Sequence, residues 1–310
     1  MSVTTAYAQN LRALCSNDCP QVLRVESSIQ QKDRDSLMAP TGTKLQKKLL
    51  SVAASVRAKI GPLSPPSAED LEFVSTFQQP DNSHRGFCNW AIPGHLMIGQ
   101  YPGQNPLKDG PSAQATAQHL ERITTQGKVS VFCSLQQETP AQDNDTEWDE
   151  QGNCYLQPES IRRQLPLPFV QYAPLVRDYC VDKDPLFLHA PIEDLSVPEC
   201  QEPLQKLLLQ LLEQLNQGKT LYIHCWGGRG RAGLVGACLL ALIWPNLKAS
   251  TILNWIQRGY ATRAGHERLA PEYASSPQTC PQREYVRAFV DQYQALYQHE
   301  QQQKQLEGKK

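Results

Sequence analysis

The stretch Leu221–Ile243, LYIHCWGGRGRAGLVGACLLALI, decides how the chain is read. Its opening residues, Leu221–Cys225, are a short apolar run that predicts a buried strand. A glycine-rich turn follows at once, and Ala232–Trp244 then predicts an apolar helix. The strand delivers His224 and Cys225 to the loop Trp226-Gly227-Gly228-Arg229-Gly230, and Arg231 stands at the mouth of the helix. This order of elements suits a tetrahedral dianion. Gly227, Gly228 and Gly230 allow dihedrals that turn successive amide N–H groups inward as an anion nest. The helix start adds unpaired N–H groups and the positive end of its dipole. Arg231 contributes a planar fork that can grip two phosphate oxygens. The same positive field favours the thiolate form of Cys225, which is the form that attacks phosphorus. Of the ten cysteines only Cys225 has an arginine six residues later. A buried structural cysteine beside a glycine turn is the plainer alternative, and it leaves two arginines in a glycine loop without a purpose.

Outward from this loop, strands alternate with helices. His95–Gln100, Val129–Leu135 and Pro185–Ile192 read as strands, the second nearly continuous in apolar residues and therefore central. Ala113–Thr125, Ala249–Gln257 and Pro281–Tyr297 read as helices, as does Pro203–Asn216, with proline at its start and Gly218 just past its end. The pattern predicts an α/β fold with a central, mostly parallel sheet flanked by helices. Gln136–Glu159 holds seven acidic residues and no basic one, and reads as a solvated surface insertion.

Residues 1–60 carry nine Lys/Arg against four Asp/Glu, a local net charge of +5 within a chain whose total is −1. In this stretch Leu45, Leu49, Val52, Val56 and Ile60 recur at helical spacing. Thr43–Ile60 is therefore expected as a helix docked on the main domain, with a membrane or partner surface as the other use of a basic amphipathic face. The breaker cluster Ile60–Asp70 marks a boundary. The chain divides into a basic N-terminal extension over 1–80, partly helical or disordered, a main domain over 81–298, and a polar tail over 299–310.

Composition narrows the function classes. The 310 residues are 40% hydrophobic and 20% charged, a globular balance with a mean hydropathy of −0.49. The near-zero charge argues against a protein that coats nucleic acid. The longest apolar run, Leu234–Trp244, is too short to span a bilayer. With no apolar signal segment at the start, the cysteines read as reduced thiols and the expected compartment is the cytoplasm or nucleus. No metal is implied, because Cys15 and Cys19 have no second pair of ligands nearby.

HCWGGRGRAG resembles the signature loop of the cysteine-dependent protein tyrosine phosphatase superfamily, His-Cys-x5-Arg followed by Ser or Thr. The likeness is to the small dual-specificity branch that includes the cyclin-dependent kinase inhibitor 3 type. It spans roughly Trp90–Phe289 and takes in IPGHLMIGQYPG, VSVFCSLQQE, PIEDLSVP and SPQTCPQREYVRAF. The resemblance implies a phosphoric monoester hydrolase that works through a phosphocysteine intermediate, without a cofactor, on phosphorylated protein. It implies Asp194 as the general acid, 31 residues before Cys225, with Glu193 as a competitor and Asp182 and Asp184 as weaker ones. Gln282, and less strongly Gln278, would position water for the second step, and His224 would orient the loop.

Two departures stand out. Ala232 replaces the hydroxyl residue that stabilises the departing thiolate, which predicts slow breakdown of the intermediate. Arg229 resembles the cation found in phosphatases of phosphoinositides, or else it points outward to an acidic surface residue. No Lys-Asn-Arg-Tyr loop is present to make a deep tyrosine-only pocket. Three readings follow: a phosphatase of phosphotyrosine and phosphoserine or phosphothreonine in proteins, a phosphatase of a polyanionic substrate such as an anionic lipid, and a weakly active module that binds phosphoproteins.

Overall fold

The structure is a computed structural model and describes residues 42–75, 87–107, 110–157, 159–270 and 274–307. Most of the basic extension, including Cys15 and Cys19, lies outside the described residues.

Five strands form the main sheet in the order β1-β2-β7-β3-β6: β1 (Cys88–Ile92), β2 (Leu96–Gly99), β7 (Thr220–His224), β3 (Val129–Gln136) and β6 (Leu186–Ile192). β1 pairs antiparallel with β2, and the remaining neighbours are parallel. The expected mostly parallel α/β sheet is therefore present. β3 is buried along its whole length, as its nearly continuous apolar run predicts for a strand covered on both faces. β1 has no counterpart in the sequence reading. It is short, fully buried and interrupted by Asn89, so neither alternation nor an apolar run marks it.

One face of the sheet is covered by α1 (Lys44–Ile60), α6 (Gln201–Asn216), α7 (Arg231–Ile243), α8 (Ala249–Ala261) and α9 (Cys280–Glu307). The other face carries α2 (Ala68–Ser75), α3 (Ala113–Thr125) and α5 (Ala173–Tyr179), with an aromatic core of Phe132, Tyr172, Phe187 and Tyr222. A small sheet of β4 (Asn153–Cys154) and β5 (Phe169–Val170), with α4 (Glu159–Gln164) between them, extends this second side.

α1 starts with a reciprocal cap between Thr43 and Gln46 and ends at Gly61, where φ is 83°. It packs on α6 and α7, burying Leu49, Leu50, Ala53 and Val56, with Leu45, Val52 and Ile60 half-buried at the flanks. Two of its basic residues serve this docking. Arg57 donates to the Ile243 carbonyl at the end of α7 (3.0 Å), and Lys59 reaches the Asn216 carbonyl at the end of α6. Cations at helix C-termini are favoured by the dipole and satisfy orphaned carbonyls. The apolar face of α1 is thus committed to the domain, which leaves no apolar stripe there for a membrane.

Two other readings are corrected. Gln136–Glu159 is not merely a solvated insertion, because Trp148 and Leu156 are buried and Gln142 is 2% exposed. α9 continues to Glu307, through most of the segment read as a tail. Gln, Lys and Glu are good helix formers, and a helix already anchored by Val286, Phe289, Val290 and Tyr293 propagates through them at little cost.

Candidate functional site

β7 ends at His224 and α7 begins at Arg231, so the loop Cys225–Gly230 sits at the C-terminal edge of the parallel strands. Open α/β sheets bind ligands at this edge. Cys225 is 3% exposed. Gly228 has φ +63° and lies back-to-back with Gly99: a Cβ on Gly228 would fall 2.0 Å from the Gly99 carbonyl carbon. No side chain fits there.

Arg263, just past α8, holds the loop from behind and was not anticipated from the sequence. It is buried, and its Nη2 donates to the carbonyls of Gly228 and Ile98 (both 2.8 Å). Nη1 donates to the Gly227 carbonyl (3.2 Å), and Nε donates to Asn89 Oδ1 (2.8 Å). Burial lowers its pKa from the ordinary arginine value without threatening its charge near neutrality. In a trans peptide the C=O and the following N–H point opposite ways. Carbonyls of Gly227 and Gly228 fixed on Arg263 therefore turn the N–H groups of Gly228 and Arg229 away from it.

Arg231 is 1% exposed and tightly held. Its Nη1 donates to Glu138 Oε2 (2.7 Å) and the Ile192 carbonyl (3.0 Å). Its Nη2 donates to Glu138 Oε1 (2.9 Å) and pairs with Asp194 Oδ1 (3.0 Å). Burial opposes the charge on Arg231, but the bonds to Glu138 and the neighbouring Cys225 and Asp194 outweigh it, so its pKa lies above the usual value. Nε is buried and has no partner among the described residues. Glu138 was hidden among the seven acidic residues of the insertion, and nothing in the sequence singled it out.

Asp194 follows β6 and reaches the loop arginine, whereas Glu193 beside it is exposed. Asp182 is elsewhere: it pairs with Lys219, which precedes β7, at the end of the strands opposite the loop. Asp184, two residues before β6, lies at that end too.

His224 is fully buried, and its Nε2 meets the Tyr172 hydroxyl at 2.7 Å. Burial lowers its pKa to about 3, so the ring is neutral near pH 7. The start of α5, which carries Tyr172, is braced by the insertion. Gln142 Oε1 accepts from the Tyr172 and Ala173 N–H groups (2.9 and 3.3 Å), and Gln142 Nε2 donates to the Tyr101 hydroxyl (3.1 Å).

Gln278 and Gln282 both lie against Gly230, whose Cβ would stand 3.3 Å from Gln278 Oε1 and 3.1 Å from Gln282 Oε1. Their amides differ. Gln282 Oε1 accepts from the N–H groups of Gln278 and Thr279 (both 3.1 Å), and its Nε2 donates to the Ser196 carbonyl (2.9 Å). Gln278 Nε2 is buried with no partner among the described residues. Thr279-x-x-Gln282 is a capping box at the start of α9, and that sequence signal could have marked Gln282 as a structural tie. Ala232 is fully buried in the first turn of α7. Arg229 is 6% exposed and engaged within the protein, so it does not project into solvent. Trp226 packs edge-on against Phe169 of β5 at 5.2 Å. No group of metal-ligating side chains is found among the described residues.

Residues 167–269 match a family model described as the Swiss Army Knife protein DSP-PTPase phosphatase domain. A protein of Invertebrate iridescent virus 3 named "Putative tyrosine phosphatase 067L" is 41% identical over 61 residues, covering 19% of this chain and 25% of that protein. The chain thus aligns with about a quarter of that relative's length. Similar solved structures include kinase associated phosphatase with its catalytic-site cysteine replaced by serine (18% identity, 64% of this chain and 86% of that one, TM-score 0.43). Another is PTPMT1 (14% identity, 67% and 97%, TM-score 0.39), and a third is TpbA of P. aeruginosa (15% identity, 68% and 96%, TM-score 0.37). The matched stretch, about a third of the chain, is thus similar to cysteine phosphatase domains. Within that superfamily the likeness of residues 167–269 is to the dual-specificity type.

Proposed function

We propose that the protein hydrolyses phosphoric monoesters through a phosphocysteine on Cys225, with phosphorylated protein as the substrate. The observation that carries this reading is the 3.0 Å pairing of Asp194 with Arg231, which sets a carboxyl group on the loop that bears the thiol. In the first step the Cys225 thiolate attacks phosphorus, the bond to the ester oxygen breaks, and Asp194 delivers its proton to that oxygen. In the second step the Asp194 carboxylate takes a proton from water, the hydroxide attacks phosphorus, and the thiolate departs. The inward N–H groups of the loop and Arg231 Nε, the buried donor left without a partner, supply the complement to the phosphoryl charge. Water in the second step falls more naturally to Gln278, whose Nε2 is unpartnered, than to Gln282, whose amide is fully used. His224 acts from behind, as a neutral ring tied to Tyr172. The route needs no cofactor.

Protein substrates bearing phosphotyrosine, phosphoserine or phosphothreonine are favoured over polyanionic lipids for two reasons. Arg229 is engaged internally and does not stand at the mouth as a free cation, and the face of α1 that would lie on a membrane is buried. No helix among the described residues is long and apolar enough to cross a membrane. The test is hydrolysis of an aryl phosphate, then of phosphopeptides and phosphoinositides in parallel. Activity lost in Cys225→Ser and depressed in Asp194→Asn supports the mechanism. Tight phosphopeptide binding without hydrolysis would replace it with the binding-module reading, and preference for the inositol lipids would overturn the substrate assignment.

A further inference from the structure

The turn that carries Asp194 is strained and latched. Leu195, next to the carboxyl group, has φ +64°, a left-handed conformation that a γ-branched side chain adopts only when its surroundings impose it. Two side chains from the start of α9 do so. The Thr279 hydroxyl donates to the Leu195 carbonyl (3.2 Å), and Gln282 Nε2 donates to the Ser196 carbonyl (2.9 Å). The turn closes on itself through the Ser196 N–H, which donates to the Glu193 carbonyl (3.1 Å). The other end of the Gln282 amide is anchored, since Oε1 accepts the N–H groups of Gln278 and Thr279. The same amide lies against Gly230, the last residue of the phosphate loop, and Gln282 is fully buried.

We propose that Gln282 is a positioning residue for the general acid: with Thr279 it latches the Glu193–Ser196 turn to α9 and so holds Asp194 on the phosphate loop. The proposal rests on the assignment of Asp194 as the acid and moves Gln282 from the hydration step to the first one. Leu195 then stores the cost of the closed turn, about 1 kcal/mol for a left-handed residue, which is roughly a fivefold bias toward opening once the latch is cut.

The variant that isolates the latch is Gln282→Glu, which keeps the shape and the accepting oxygen but sets an oxygen against the Ser196 carbonyl. Thr279→Val removes the second bond, and Thr279→Ser preserves it. A misplaced acid penalises substrates whose leaving group needs a proton. The kcat/KM of Gln282→Glu should therefore fall about 30-fold on phenyl phosphate but less than about threefold on dinitrophenyl phosphate, whose phenolate departs unaided. In an Asp194→Asn background the same change should cause no further loss, because the two act through one proton. Equal losses on both substrates, or a loss that persists without Asp194, would overturn the proposal. A readout independent of turnover separates this from the proposed function. Hydrogen exchange at the Ser196 amide should quicken in Gln282→Glu and Thr279→Val and stay at the wild-type rate in Thr279→Ser. Unchanged exchange in the first two refutes the latch whether or not the protein is active, whereas absence of any Cys225-dependent hydrolysis refutes the enzymatic reading alone.

Discussion

Arg263 offers the most direct trial of how the phosphate loop is built. Arg263→Met keeps most of the aliphatic volume and removes four hydrogen bonds, to Asn89 Oδ1 and to the carbonyls of Ile98, Gly227 and Gly228. Bonds to charged groups contribute about 1.5–3 kcal/mol each. The buried guanidinium carries a desolvation cost, visible as its lowered pKa, that offsets a good part of the sum. The stranded acceptors then leave a net loss of about 3–5 kcal/mol, in the range for breaking a buried charged network. For a domain of this size that is roughly 10 °C in melting temperature. The loop consequence is separate. With the Gly227 and Gly228 carbonyls released, the N–H groups of Gly228 and Arg229 lose their fixed direction, and misaimed donors cost about 100-fold in kcat/KM. Arg263→Lys distinguishes geometry from charge, because an ammonium restores the charge but cannot span four acceptors. Thermal denaturation and aryl phosphate hydrolysis on the folded fraction measure both effects. If Lys restores full activity, the arginine acts by its field and not as a splint; if Met stays within threefold of wild type, the loop does not depend on it.

Other expectations are equally specific. Without a hydroxyl after Arg231, pre-steady-state traces should show a burst of product followed by slow turnover. Ala232→Ser should shrink the burst and raise kcat about tenfold, the equivalent of one hydrogen bond to a charged sulfur; matched burst and steady-state rates in the wild type would remove the premise. Burial lowers the pKa of both His119 and His224 to about 3, well below the value of about 6.5 in an unfolded chain. The unfolded chain therefore takes up protons that the fold refuses, and stability is lost as pH falls through 6.5 toward 3, by about 1.4 kcal/mol per histidine per pH unit. Urea midpoints should drop between about pH 7.5 and pH 5.5, and His119→Gln should remove part of that slope, the rest coming from His224 and from His95, whose pKa burial also lowers; an identical slope in the variant would refute the assignment. Leu49→Ala, in the middle of α1, should cost about 2–4 kcal/mol because the residue is fully buried against the domain. An unchanged melting temperature would make α1 a detachable appendage after all.

What the sequence disclosed and what it withheld follow from the same physics. β3, α6 and α7 are legible because burial on both faces, or on one stripe, writes itself as apolar periodicity. The loop between β7 and α7 is legible as a loop because three glycines interrupt the passage from an apolar strand to an apolar helix. Glu138 and Arg263 are invisible for the opposite reason. Each is a charged residue in a polar stretch, and its importance comes from a partner that only the fold brings near. The acidic count over Gln136–Glu159 was correct and its interpretation was not, since Trp148 and Leu156 anchor the segment against the core. Gln282 shows a subtler limit: it lies against Gly230, and both ends of its amide are committed, which no spacing rule reveals.

The arginine clamp also bears on how a turnover would end. All four terminal N–H directions of Arg231 are taken by Glu138, Ile192 and Asp194. Inorganic phosphate, to hold on through the guanidinium edge, must compete with the Asp194 carboxylate, which is tethered to the same fold. A tethered group acts at an effective concentration on the order of millimolar. Under the proposed mechanism Asp194 ends the second step protonated, so this competition would begin once that proton is lost to solvent, and it would then weigh on bound product and incoming substrate alike.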